Sequence, residues 1–186
     1  YSKEFTGIDI SEKTIRLTDK DMDSQPVLKL VETILFRFSL LKSKTIYTYD
    51  GTKLTDETYY NAEGAIVWKI IYSYNAKNQL EKETEYFADG SLDEERFYEY
   101  SDDGKIDTIS YANVDGLKMK ELFRYDNMGN LTEVTTYSAD NKTTKRLLVK
   151  YDAAGNVVKL TTYDVVKKFG TINNEMVDMV EFAYQY

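Results

Sequence analysis

Residues 125–151 read YDNMGNLTEVTTYSADNKTTKRLLVKY, and this stretch decides the fold. Asp126 suits the first position of a type I turn, and Gly129 falls where a left-handed residue closes such a loop with a bulge. With Asn127 to Gly129 as the loop, Asp126 faces Asn130 and Tyr125 faces Leu131, an aromatic–aliphatic pair across two antiparallel strands. Beyond the turn the chain alternates. Leu131, Glu133, Thr135 and Tyr137 take one side and Thr132, Val134 and Thr136 the other, the period of two of a strand. A second turn at Ser138-Ala139-Asp140-Asn141 uses an asparagine that tolerates left-handed geometry. It returns the chain through Lys145, Leu147, Val149 and Tyr151.

The same unit recurs upstream. Tyr49, Tyr74, Tyr100, Tyr125 and Tyr151 stand 25 or 26 residues apart, each followed by Asp50, Asn75, Ser101, Asp126 or Asp152. The strands after these turns open at Leu54, Leu80, Ile106, Leu131 and Val157 and end at Tyr60, Tyr86, Tyr111, Tyr137 and Tyr163. The second turns align at Gly64, Gly90, Gly116 and Asn141. A period of this size marks stacked supersecondary units, each unable to bury a face alone; here the unit is one two-stranded hairpin.

Tyr-Asp-x-x-Gly-Asn-Leu at Tyr125 to Leu131, repeated with valine in the last place at Tyr151 to Val157, resembles the YD repeat of bacterial rearrangement-hotspot and teneurin-type surface proteins. Tyr86-Phe87-Ala88-Asp89-Gly90-Ser91-Leu92 is similar to the MORN-variant repeat. The resemblance covers roughly residues 45 to 165. The period is longer than in the usual YD repeat, and the arginine that commonly follows its glycine is replaced by Gln79, Lys105, Asn130 and Asn156. The resemblance implies β-hairpin repeats in an exported or surface-linked bacterial protein, with a secreted, periplasmic or cell-surface location and an export signal already removed before Tyr1.

Residues 1 to 186 are read as a single domain. In its N-terminal segment, 1–44, Ser24 and Pro26 suit a helix start, and Val27, Leu28, Val31, Ile34, Leu35, Phe38 and Leu41 keep helical spacing. The expectation is a helix over 26–41, apolar nearly all round and buried under the sheet. A strand competes with it, because Ile34, Phe36, Phe38 and Leu40 also alternate. Residues 45–164 form five hairpin repeats, and 165–186 a loop and final strand, with the longer loop placed over Asp164 to Asn174. The predicted fold is all-β: an antiparallel up-and-down meander of about eleven strands, strongly curled or barrel-like so as to hide its edges, with one N-terminal helix.

Composition narrows the chemistry. The 186 residues include no histidine and no cysteine, which removes Ser-His-Asp and Cys-His triads and zinc sites of the usual kind. A net charge of −8 repels nucleic acid and anionic membranes, and no segment approaches the roughly twenty apolar residues of a membrane span. Asp102-Asp103-Gly104 and Asp89-Gly90 lack the alternating oxygen ligands of a calcium loop and read as turns. Glu94 and Glu95 are adjacent on a strand, so they point to opposite faces and do not form a glycosidase pair. No catalytic residue, metal site or cofactor is expected.

The tyrosine rows are expected to pack across strands. The sharper reading is an aromatic platform for a glycan or another surface protein, with Trp68, Tyr60 and Tyr86 at its centre and Trp68 standing opposite Thr58. A polar belt of Asp56, Lys82, Glu133 and Lys159 is expected on the face of the Tyr–Leu pairs, lining a groove that places Lys82 and Glu133 in a ligand site. Glu94 or Arg96 is expected near Lys82, and Lys145 near Glu133. The function expected is a non-enzymatic exported β-repeat module with a structural or binding role; the alternative is a carbohydrate-active protein that binds or hydrolyses glycan through carboxylates and aromatic residues.

Overall fold

The computed structural model describes the backbone of residues 10–14, 17–18, 29–30, 32–37 and 40–184, and side chains over 42–184. The strands, in chain order, are β1 (Ile10–Thr14), β2 (Leu17–Thr18), β3 (Lys29–Leu30), β4 (Glu32–Arg37), β5 (Leu40–Asp50), β6 (Lys53–Asn61), β7 (Ile66–Tyr74) and β8 (Leu80–Phe87). They continue as β9 (Leu92–Tyr100), β10 (Ile106–Asn113), β11 (Gly116–Tyr125), β12 (Leu131–Ser138), β13 (Thr143–Tyr151), β14 (Val157–Lys168) and β15 (Thr171–Glu181). Thirteen of the described strands make one sheet in the order β1-β4-β5 and onward without interruption to β15, while β2 and β3 pair separately. The chain divides into two compact units, Tyr1–Glu95 and Arg96–Tyr186.

The meander is therefore all-β, but three expectations are corrected. The helix over 26–41 is replaced by strand at Lys29–Leu30, Glu32–Arg37 and from Leu40 onward; residues 26–28, 31 and 38–39 lie outside the described residues. The alternation of Ile34, Phe36 and Leu40 prevailed because β4 has partners on both sides, β1 and β5, and an apolar run between two strands satisfies its backbone as readily as a helix does. The barrel-like curl is also corrected: the strand order is linear and β1 does not pair with β15, so the sheet is open. Finally, the loop over 164–174 is ladder, since β14 runs to Lys168, turns at Phe169-Gly170 and pairs with β15 from Lys168↔Thr171 to Lys159↔Glu181.

The turns follow the chemistry of their residues. At 126–130 the Asp126 N–H donates to the Asn130 carbonyl at 2.9 Å and the Gly129 N–H to the Asp126 carbonyl at 3.0 Å. Asp126 Oδ1 also accepts from the amides of Met128 and Asn130, both at 2.9 Å, so one carboxylate satisfies two loop donors. The same two backbone bonds recur at 61–65, 75–79, 87–91, 101–105, 138–142 and 152–156. The fourth residue of each such turn has positive φ, and it is glycine except at Asn78 and Asn141.

A feature absent from the simple alternation follows the turns. Tyr125 pairs with Leu131 but Arg124 pairs with Glu133, so Thr132 is left over as a β-bulge. Val67, Glu81, Thr144 and Val158 are skipped in the same way. Directly paired residues share a face and neighbours alternate, so each bulge exchanges the faces. Within each unit the Tyr–Leu pairs therefore occupy one face and the belt residues the other, Asp56 and Lys82 in the first unit and Glu133 and Lys159 in the second, correcting the face expected for that belt.

Tyrosines at the strand ends replace missing ladder bonds. The β12–β13 ladder ends at Glu133↔Leu148, which strands the Leu131 carbonyl, and the Tyr151 hydroxyl donates to it at 2.9 Å. Tyr74 serves Leu54 at 2.8 Å, Tyr125 serves Ile106 at 2.9 Å and Tyr184 serves Val157 at 2.9 Å. Lys53 and Lys105 lie over the rings of Tyr74 and Tyr125, each 5.5 Å from the centroid, a cation–π contact that covers the ring.

Side-chain burial is slight. Among the described residues Val149 is the one buried hydrophobic, at 9% exposure, and no side chain is fully enclosed. The most sheltered positions are Thr58, Thr84, Thr135 and Thr161 at 6–7% exposure, one in each of four repeats. Each is a short side chain flanked by longer ones, as Thr135 is between Leu122 and Arg146, whose stems shade it.

Two outcomes test this account by urea denaturation. Tyr151→Phe should cost about 1 kcal/mol, the usual worth of one hydrogen bond. Gly155→Val should cost more than about 1–2 kcal/mol, because Gly155 has φ +85° with open space around its Cβ position and the penalty is therefore backbone strain. Asn141→Gly should stay within about 0.5 kcal/mol.

Candidate functional site

In the first unit the bulge at Val67 decides which side chains meet. Tyr60 pairs with Ile66, but Tyr59 pairs with Trp68, and Trp68 in turn with Phe87. The expectation that Trp68 stands opposite Thr58 is corrected by one residue, since Thr58 faces Lys69. Tyr59 and Trp68 stack with ring centroids 5.3 Å apart and planes 10° from parallel. Phe87, half exposed at 50%, continues the row onto β8, so three aromatic side chains cross three adjacent strands on one face.

The other sequence-predicted residues lie on the opposite face. Tyr60 faces Lys44, whose ammonium sits 5.2 Å from the ring centroid, and Tyr86 faces Lys69. Lys82 faces Ser73 and forms an ion pair with Glu95. The structure thus separates Trp68 from Tyr60, Tyr86 and Lys82. Tyr59 and Phe87 are the residues that sequence reasoning missed, and the 61–65 turn, which ends two residues before Val67, was the available signal, because a bulge follows the 75–79, 126–130, 138–142 and 152–156 turns at the same distance.

Beside the aromatic row lies an acidic one. Ile70 pairs with Glu57 on one side and Glu85 on the other, and Tyr72 pairs with Glu83. Burial pushes the Glu57 carboxyl above its ordinary range; the Tyr72 hydrogen bond opposes this, while the charges of Glu83 and Glu85 add to it. Burial, with the charges of Glu57 and Glu83, likewise raises the Tyr72 phenol. Glu57 and Glu85 are separated by two strand spacings, roughly 10 Å.

In the second unit Glu133 belongs to a groove of about 880 Å³ on the belt face of β11 to β15. Arg146 Nε donates to Glu133 Oε1 at 2.8 Å and the Thr135 hydroxyl donates to the same oxygen at 2.7 Å. The Arg146 bond holds the Glu133 carboxyl below the usual range against the opposing effect of burial. The partner expected from alternation was Lys145, one residue away; the bulge at Thr144 is the reason. Asp56 and Lys159 of the belt are also paired, with Lys69 at 3.4 Å and Glu181 at 3.0 Å. Among the described residues no group of three or more acidic side chains has metal-holding geometry, and no helix is long and apolar enough to cross a membrane.

The two carboxylates should respond to pH in opposite senses. Glu57 has a raised folded pKa, so its stabilising contribution is present in acid and lost as pH rises through that value. Glu57→Gln should therefore raise the melting temperature at pH 7 and lose the advantage at pH 4. Glu133 has a depressed folded pKa, so its contribution is present at neutral pH and lost as pH falls. Glu133→Gln should lower the melting temperature at pH 7, by an amount that shrinks as pH falls below the ordinary carboxylate range. Melting curves across this range check both, and parallel profiles for the two variants would refute the assignments.

No known family's pattern and no curated protein matches this chain. Among solved structures it is similar to a porin-like protein from Bacteroides uniformis, with a TM-score of 0.55 and 14% identity over 80% of this chain and 71% of that chain. It also aligns with the Photorhabdus luminescens Tc holotoxin pore, at a TM-score of 0.41 and 16% identity over 90% of this chain and 11% of that one. A protein of unknown function from Bacteroides fragilis aligns at a TM-score of 0.32 and 12% identity, over 74% and 91% of the two chains. The first is a likeness of fold and agrees with an antiparallel β-meander.

Proposed function

We propose that this chain is a non-enzymatic β-repeat module of the bacterial cell surface or periplasm that binds glycan through the row Tyr59, Trp68 and Phe87. The observation that carries the reading is the row itself: three aromatic side chains directly opposite one another, two of them stacked and parallel. Packing among themselves leaves Phe87 half exposed, and exposed apolar patches of this kind mark interaction sites. Sugar rings present flat C–H faces that suit such a surface, and the adjacent carboxylates of Glu57 and Glu85 accept hydrogen bonds from hydroxyls.

A second reading has one observation in its favour. Glu57 is a carboxyl with a raised pKa, and Glu85 lies roughly 10 Å away across one strand, near the separation of an inverting glycosidase pair. Binding is preferred because the row lies on a half-exposed face, whereas acid catalysis gains its strength where water is excluded.

The test is an oligosaccharide array followed by calorimetry on wild type, Trp68→Ala and Glu57→Gln. Binding that weakens about tenfold or more in Trp68→Ala, at an unchanged melting temperature and without release of reducing ends, supports the module. Turnover by wild type that disappears in Glu57→Gln would establish hydrolysis instead. Binding unaffected by Trp68→Ala would remove the aromatic row from the function.

A further inference from the structure

The groove of the second unit has a chemistry opposite to that of the whole chain. The protein carries a net charge of −8, yet the ionised side chains lining the groove are Arg124, Lys142, Arg146 and Lys167 against the single carboxylate Glu133. Arg146 gives its Nε to Glu133, which leaves the terminal amino groups of its guanidinium for a ligand. Lys142 is paired with Asp140 at the exposed 138–142 turn. Arg124 and Lys167 are exposed; Arg124 stands opposite Glu133 in the ladder, and its charge helps to hold that carboxyl low. Arg124 on β11 and Arg146 on β13 lie two strands apart, roughly 10 Å.

We infer that this groove is a binding site for a short acidic oligosaccharide whose carboxylates are held by Arg124, Arg146 and Lys167. Guanidinium groups take carboxylates through paired, charge-assisted hydrogen bonds. The remaining polar lining of Thr135, Thr143 and Asn174 offers hydroxyl and amide groups for sugar hydroxyls, and Val165 and Ile172 supply an apolar wall. The volume falls within the range of small-ligand sites.

The position within the sheet separates a sugar from a peptide. Extended peptides are taken up by adding a strand to a sheet edge, where free backbone groups supply the affinity. This groove lies over strands already paired in ladders from β11 through β15, so side chains alone are presented to the occupant. The overall negative charge limits the ligand to a short one, since a long polyanion leaving the groove meets repulsion from the rest of the surface. This site is independent of the aromatic row, and either can fail without the other.

The test is calorimetric titration of the full chain with trigalacturonic acid, its methyl ester, a tri-glutamate peptide and a trinucleotide. The expected result is binding of trigalacturonate alone, weakened by added salt and about tenfold weaker or more in Arg124→Gln/Lys167→Gln. That double variant should melt close to wild type, because both side chains are exposed and exposed charges add little to stability. Trp68→Ala should bind trigalacturonate as wild type does, which separates this site from the aromatic row. The inference is overturned by no binding, by equal binding of the methyl ester, by preference for the peptide or trinucleotide, or by unchanged affinity in the double variant. Should the double variant melt early, amide chemical shifts of wild type decide: trigalacturonate must move Thr135, Thr143 and Asn174, and shifts confined elsewhere overturn the site.

Discussion

The residue left unpaired after each turn is the constraint on which the rest of this structure depends. A strand alternates faces with a period of two, so one extra residue in one strand of a pair reverses every assignment beyond it. Thr132 puts Glu133 with Arg124 and Arg146 rather than beside Leu131. Val67 puts Trp68 on Tyr59 rather than opposite Thr58. The ion pairs of the belt, the aromatic row and the basic groove all follow from this exchange.

Cohesion in such a sheet comes mainly from the backbone. With Val149 the one buried hydrophobic among the described residues, area-based hydrophobic stabilisation is modest, and the ladders, the turn bonds and the tyrosine hydroxyls carry a correspondingly larger part. The tyrosines act where the ladders end. A carbonyl such as that of Leu131 would otherwise be left without a strand partner, and the Tyr151 phenol supplies the bond from a side chain. This explains why tyrosine, and not phenylalanine, recurs before the turns: the ring covers the neighbouring hairpin and the hydroxyl closes its backbone.

Most of the architecture was legible because turn residues announce themselves. The repeat, the pairing of Tyr125 with Leu131 and the left-handed positions at Gly129 and Asn141 all rest on local stereochemistry that a single sequence displays. The N-terminal apolar run was misread because Ile34, Phe36 and Leu40 fit both periods and only the neighbouring strands decide between them. The site residues were misplaced for a different reason. Thr132, Val67 and Thr144 carry no unusual side chain, so their role as bulges cannot be seen in their identity; it becomes visible only as a parity error between the pairs before and after them. Arg124 and Lys167 were passed over because a groove formed by five neighbouring strands has no linear motif, and because 164–174 had been read as a loop.

The tyrosine bonds also have a mechanical meaning. Each joins a hairpin to its predecessor, as Tyr151 joins β13 to β12 and Tyr184 joins the end of the chain to β14. Tension applied at the C-terminus loads these contacts in sequence rather than together, because from β4 to β15 each strand is bonded to its neighbours in the chain. Such a sheet yields by peeling. Every repeat of 25 or 26 residues that came away under such a load would release about 90 Å of extended chain.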